Sequence, residues 1–143
     1  MAYYLDGNRN IEKITEEYFE IESLDDLYLA LKELWNKETC TPRLRNSYNE
    51  DNPSLGQCSI TSFLAQDIFG GEVYGIALKE GGVHCYNVVG DTIFDLTSEQ
   101  FKENLVYDKE NKQDRETHFE SDEKYTRYLH LRKMLHTYKN QML

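Results

Sequence analysis

Three side chains of this 143-residue chain have the types and order needed for nucleophilic chemistry: Cys58, His84 and Asp95. Cys58 opens the run "CSITSFLAQDIF", directly after the turn-rich "NPSLGQ". A thiol at a helix start is favoured as the thiolate, because the unpaired first-turn N–H groups and the helix dipole stabilise negative charge. Free cysteine is also among the most buried residue types, so Cys58 on its own reads equally well as packing. What separates the two readings is whether an imidazole reaches it to take the proton, and a carboxylate to fix the tautomer of that imidazole.

The run "VHCYNVVGDTIFDL" supplies both partners. Taking Gly90-Asp91 as a two-residue type II′ turn pairs Val89 with Thr92, Val88 with Ile93, Asn87 with Phe94 and Tyr86 with Asp95. Cross-strand partners share a face, as do residues two apart, so His84 and Asp95 become diagonal neighbours on one face. Val83, Cys85, Val89, Phe94 and Leu96 form the other, more apolar face, which makes Cys85 a core residue. Asn87 falls on that second face and is a poor partner for His84. Alone, His84 reads as a hydrogen-bonded histidine at a sheet edge and Asp95 as a turn-stabilising or solvent-facing acid.

The pattern yields a nucleophile (Cys58), a general base and acid (His84) and an orienting carboxylate (Asp95). The Cys58 backbone N–H, with the Gln57 side chain beside it, is the expected oxyanion donor. Asn52, Tyr48 and Tyr86 are expected to line the substrate site. A zinc site built from Cys40, Cys58, Cys85 and His84 is the rival for the same atoms. No C-x2-C pair exists, and adjacent His84 and Cys85 on a strand face opposite ways, so no metal or other cofactor is expected. His130 and His136, six apart, do not share a helix face and read as surface residues.

The elements that must hold these groups follow from periodicity. Leu24, Leu27, Tyr28, Leu31, Leu34 and Trp35 form one helical face behind an N-cap at Ser23, with Asp25 and Asp26 in the first turn. Ile11, Ile14, Tyr18 and Ile21 repeat at the same spacing and predict a shorter helix over 10–21. Residues 39–56, with both prolines and three asparagines, read as irregular. Ile60, Phe63, Leu64 and Ile68 form the stripe of the Cys58 helix, which Gly70-Gly71 ends. "EVYGIALK", "GVHCYNVV" and "TIFDLT" predict an antiparallel meander, with "NLVYD" a possible fourth strand. Tyr125, Tyr128, Leu131, Leu135 and Tyr138 predict a terminal helix behind Ser121.

Composition limits the partners. Lysine and arginine number 16 against 26 acids, a net charge of −10, which disfavours nucleic acid and anionic membranes. No leader-like segment or 18-residue apolar run is present, and three irregularly spaced cysteines do not form a disulfide framework, so a cytoplasmic location is expected. The length suits one domain over 1–143, and oligomeric state is left open.

The run "NPSLGQCSITSFLAQDIFGGEVY", followed by "HCYNVVGDTIFDLTSEQF", resembles the YunG-like family of uncharacterised bacterial proteins. The family pattern is carried here by Asn52-Pro53, Gly56-Gln57-Cys58, Gln66-Asp67, Gly70-Gly71, His84, Tyr86-Asn87, Asp95-Leu96-Thr97 and Gln100-Phe101. Trp35, Thr39, Pro42 and the region of Arg127-Tyr128 are similar too. The resemblance covers 23–138, so residues 1–22 read as an N-terminal extension, and Tyr48 stands where the pattern has tryptophan. It implies an α+β fold with a layout similar to papain-like and transglutaminase-like enzymes, and thereby acyl transfer through a thioester. The substrate would be an amide, an ester or a peptide. A non-enzymatic module binding a peptide or small ligand, and a toxin- or immunity-like partner protein using the acidic surface, are the other classes compatible with the sequence.

Overall fold

The computed structural model describes residues 3–139; the extreme ends of the expected 1–143 domain lie outside the described residues. Helix α1 spans Leu24–Leu34, with the Ser23 side chain accepting from Asp26 N–H and Leu24, Leu27, Tyr28, Ala30 and Leu31 buried. An irregular stretch containing a 3-10 segment, Pro42–Ser47, leads to α2, Cys58–Phe69. Helix α2 buries Ile60, Phe63, Leu64 and Ile68, the four residues of its predicted stripe, together with Thr61, Ser62, Ala65 and Phe69. Trp35 Nε1 donates to Thr61 Oγ1 at 2.9 Å, which ties the end of α1 to α2.

The sheet is antiparallel, in the order β1-β4-β3-β2. Its strands are β1 (Tyr4–Asp6), β2 (Glu72–Ala77), β3 (Val83–Val89) and β4 (Thr92–Asp95). The expected hairpin register holds: Asn87 faces Phe94, Val88 faces Ile93 and Val89 faces Thr92. Gly90 has φ +59 and Asp91 is not left-handed, the type II′ pattern. Cys85, Phe94 and Leu96 join the main core with α1 and α2, while Tyr86, Val88 and Ile93 form a second cluster on the other face with Tyr74, Ile76 and Tyr107. A short helix, α3 (Arg115–His118), precedes α4 (Asp122–His136), whose Ser121 cap accepts from Lys124 N–H. Tyr128, Leu131 and Leu135 of α4 complete the core.

Two expected elements are corrected. Residues 10–21 are not helical: Ile14 N–H donates to Ile68 O, at the end of α2, and Ile14 is 68% exposed while Tyr18 and Ile21 are buried. Tertiary packing takes the apolar residues one by one, and the backbone follows them rather than its own i→i−4 bonds. "NLVYD" is not a strand either, and Val106 in it is 73% exposed. The edge of β2 is covered a few residues later, where Gly75 N–H donates to Asn111 O and Gln113 N–H to Val73 O, each at 2.8 Å. β1, which no periodicity announced, pairs with β4 and brings the first residues into the sheet.

Candidate active site

Helix α2 packs on β3, and its first residue meets the beginning of that strand. The N-cap residue of α2, Gln57, makes no side-chain capping bond, so the first-turn N–H groups keep no side-chain acceptor. Cys58 is partly exposed, and its Sγ lies 4.0 Å from Val83 O. Cys85 first, and His84 after it, favour the thiolate; together these overcome burial and hold the Cys58 pKa well below the usual thiol range.

His84 is fully buried, and its ring meets Phe101 edge-on with centroids 4.7 Å apart. Nε2 and Asp95 Oδ2 are 2.6 Å apart. Nδ1 has no hydrogen bond of ordinary geometry, which leaves it as the nitrogen available to the Cys58 thiol. Burial opposes the imidazolium, but hydrogen bonds and charge from Asp95 and Cys58 outweigh that, and the His84 pKa is pushed up to about 10. The lowered thiol and the raised imidazole both favour the charged form, with Cys85 the first cause of the thiol's shift and His84 a further one.

Asp95 is held by four donations in all. Besides His84, the Tyr107 hydroxyl donates to Oδ2 at 2.8 Å, and Thr97 donates to Oδ1 from its N–H at 3.2 Å and its hydroxyl at 3.3 Å. The carboxylate is buried with its lone pairs satisfied, which is what an orienting anion in a low-dielectric site requires. The expectation that Asn87 does not orient His84 agrees with its bond: Asn87 Nδ2 donates to Ser62 O of α2 at 2.8 Å.

A cavity of about 520 Å³ opens on Cys58 and His84. Its wall includes Arg43, Gln100, Phe101, His118, Lys124 and Arg127. The structure brings Cys58, His84 and Asp95 together but not the remaining expected residues. Gln57 is buried, with Nε2 donating to Asn36 O at 3.1 Å, so its amide is spent away from the cavity. The helix-start N–H groups beside Cys58 stay without a side-chain cap. Asn52 lines a neighbouring cleft, the Tyr48 hydroxyl turns to Pro53 O, and Tyr86 is buried with its hydroxyl accepting from Lys109 N–H.

Residues the sequence reasoning missed are Thr97, Tyr107, His118 and Lys124. Only Thr97 carried a local signal, as the residue two after an aspartate that an Asx turn favours. Tyr107 and His118 arrive from the 98–120 stretch, whose path no helical period reveals, and Lys124 from the first turn of the predicted terminal helix, off its apolar stripe. Cys40 and Cys85 are buried. Burial raises the Cys40 pKa, and the hydrogen bond with Cys58, followed by burial, raises that of Cys85. Among the described residues no three His, Cys, Asp or Glu side chains are gathered so as to hold a metal ion.

Fold and site together define an α+β domain with a buried carboxylate–imidazole pair beside a helix-initiating thiol. The chain belongs to the YunG family, whose model, described as YunG protein, matches residues 23–140. It is 30% identical over 119 residues to a protein of Bacillus subtilis (strain 168) described as uncharacterized protein YunG, covering 83% of this chain and 96% of that one. No solved structure matches. Among the described residues, no helix is long and apolar enough to cross a membrane.

Proposed function

We propose that this protein is a cysteine-dependent acyl-transfer enzyme, acting on an amide, ester or peptide through a thioester on Cys58. The observation that carries the reading is the convergence of a low-pKa thiol, a buried imidazole and a fully hydrogen-bonded carboxylate at one cavity. Perturbed groups in that order, in a cleft, are the usual mark of catalysis.

In the first half-reaction the Cys58 thiolate attacks the substrate carbonyl carbon, and the carbonyl electron pair moves to oxygen. The uncapped first-turn N–H groups of α2, beginning with that of Cys58, donate to this oxyanion. As the tetrahedral intermediate collapses, the bond to the amine or alcohol breaks and the His84 imidazolium gives that group its proton. Asp95 holds the ring and favours the imidazolium. In the second half, neutral His84 takes a proton from water, or from another acceptor, as it attacks the thioester; the Cys58 thiolate leaves, and the acid is released from water or the acylated acceptor from the other.

The test is the pH dependence of Cys58 alkylation by iodoacetamide, followed on the Cys58 peptide by mass spectrometry. The wild type should alkylate along a titration well below the free-thiol value of about 8.5, and His84→Ala should move it toward that value. A wild-type profile at the ordinary thiol pKa, unchanged by His84→Ala, overturns the reading.

A further inference from the structure

The chain carries ten more acids than bases, yet the wall of the Cys58 cavity is weighted the other way. It includes Arg43, Lys124 and Arg127 against one carboxylate, Glu80. Arg127 is internally compensated: its Nε donates to Glu123 at 2.5 Å and its Nη1 to Thr39 O at 3.1 Å. The other two are not. Lys124 makes no ion pair among the described residues; its Nζ donates to His118 Nδ1 at 2.8 Å, and His118 Nε2 is 2.8 Å from Gln113 Oε1. A ring that accepts at Nδ1 and donates at Nε2 is neutral, and burial and the Lys124 charge both lower the His118 pKa. The ammonium charge is therefore oriented but not cancelled. Arg43, exposed, has no hydrogen bond or ion pair among the described residues, and its guanidinium reaches across to Gly82 at the β2–β3 turn.

An oriented cation without an ion-pair partner, on the wall of the cavity that holds the thiol, is unlike a solvated surface lysine, which is free to swing away. Here the imidazole fixes Nζ on the cavity wall, and the segment bearing that imidazole is pinned by Gln113 to the edge of β2. We propose that the acyl compound attacked at Cys58 carries an anionic group, carboxylate or phosphate, that is held by Lys124 and Arg43 on the cavity wall. The inference rests on the acyl-transfer reading and adds the charge of the substrate to it.

Two alkylating reagents that differ only in charge separate the two claims. The second-order rates of Cys58 alkylation by iodoacetate and by iodoacetamide are measured at one pH, and their ratio divides out any change in thiolate fraction. In the wild type the ratio should exceed that of N-acetylcysteine. Part of the excess comes from His84, so the decisive comparison is Lys124→Gln with Arg43→Gln, where the ratio should fall about three- to tenfold and the residual preference should weaken with salt. Lys133→Gln, on an exposed part of α4 away from the cavity, controls for net charge and should leave the ratio at the wild-type value. Competition against iodoacetate by succinate or by inorganic phosphate then tells which anion the wall prefers, and stronger protection by either supports the site. A ratio equal to that of N-acetylcysteine, or an elevated ratio unmoved in the double variant, overturns the inference while fast iodoacetamide labelling leaves the thiolate reading standing. Slow labelling by both reagents overturns both.

Discussion

At the residue scale the site depends on who donates to Asp95. Its two oxygens are both occupied, by His84 and Tyr107 on one and Thr97 on the other, so the carboxylate has little freedom to turn away from the ring. Asp95→Asn keeps the shape and removes the charge. The imidazolium then loses the strongest influence that raises its pKa, the Cys58 thiolate loses its counter-ion, and labelling of Cys58 by iodoacetamide at pH 7 should drop by about tenfold or more, one pKa unit being a factor of ten. Tyr107 gives the same carboxylate a second donor while its own pKa rises through burial and the Asp95 charge, so it stays a protonated donor across the working range.

At the scale of elements, the placement of Cys58 against His84 is set by how α2 ends and β2 begins. Gly70 and Gly71 have φ of +78 and +76, and a Cβ on Gly71 would sit 2.3 Å from Val88 O and 2.9 Å from Val89 Cγ2. The chain thus reverses from α2 into the sheet with its backbone touching β3, the strand that carries His84. Gly71→Ala should lower stability by about 2 kcal/mol or more, read from the urea midpoint, because left-handed strain and a backbone clash add. The same closeness makes residues 3–22 more than an appendage. They precede the family match at 23, yet β1 pairs with β4, and Tyr3, Tyr18 and Ile21 are in the core.

Across the whole molecule, the buried His84 links folding to pH. Its folded pKa is raised to about 10 from an ordinary value near 6.5, so the folded state binds the proton more tightly than the unfolded chain. That contribution is complete below about pH 6.5 and is lost as pH rises toward 10. Cys58 runs the other way: its folded pKa is depressed, so its contribution is present above the unfolded thiol value and lost as pH falls through the folded one. Between those limits the pair is charged in the folded protein while the unfolded chain has a neutral thiol and a titrating imidazole. Up to the free-thiol value of about 8.5 the two slopes oppose each other, so thermal unfolding midpoints of the wild type should decline more steeply than those of His84→Ala between about pH 8.5 and 10, where only the His84 contribution is being lost.

Much of the site could be read from one dimension. The hairpin register needed only Gly90-Asp91 and alternation, because a two-residue turn leaves one pairing, and that pairing puts His84 and Asp95 on one face. The Cys58 helix, its stripe and its glycine stop were equally local. Residues 10–21 showed helical spacing but were claimed by separate core sites, and 98–120 offered no more than a possible strand at "NLVYD", so Tyr107 and His118 could not be assigned to a site in advance, while Lys124 lay on the predicted terminal helix without a sign of what it faces. Gln57 stood next to the nucleophile in sequence but turned its amide to Asn36, because adjacent residues at a helix start point in different directions. The sequence by itself determined which residues could act as nucleophile, base and orienting acid, since local turns and periods fix strand faces and helix starts. The charge of the cavity and the second donors to Asp95 were decided only by the tertiary structure, because the side chains that supply them come from loops and helices whose placement depends on long-range packing.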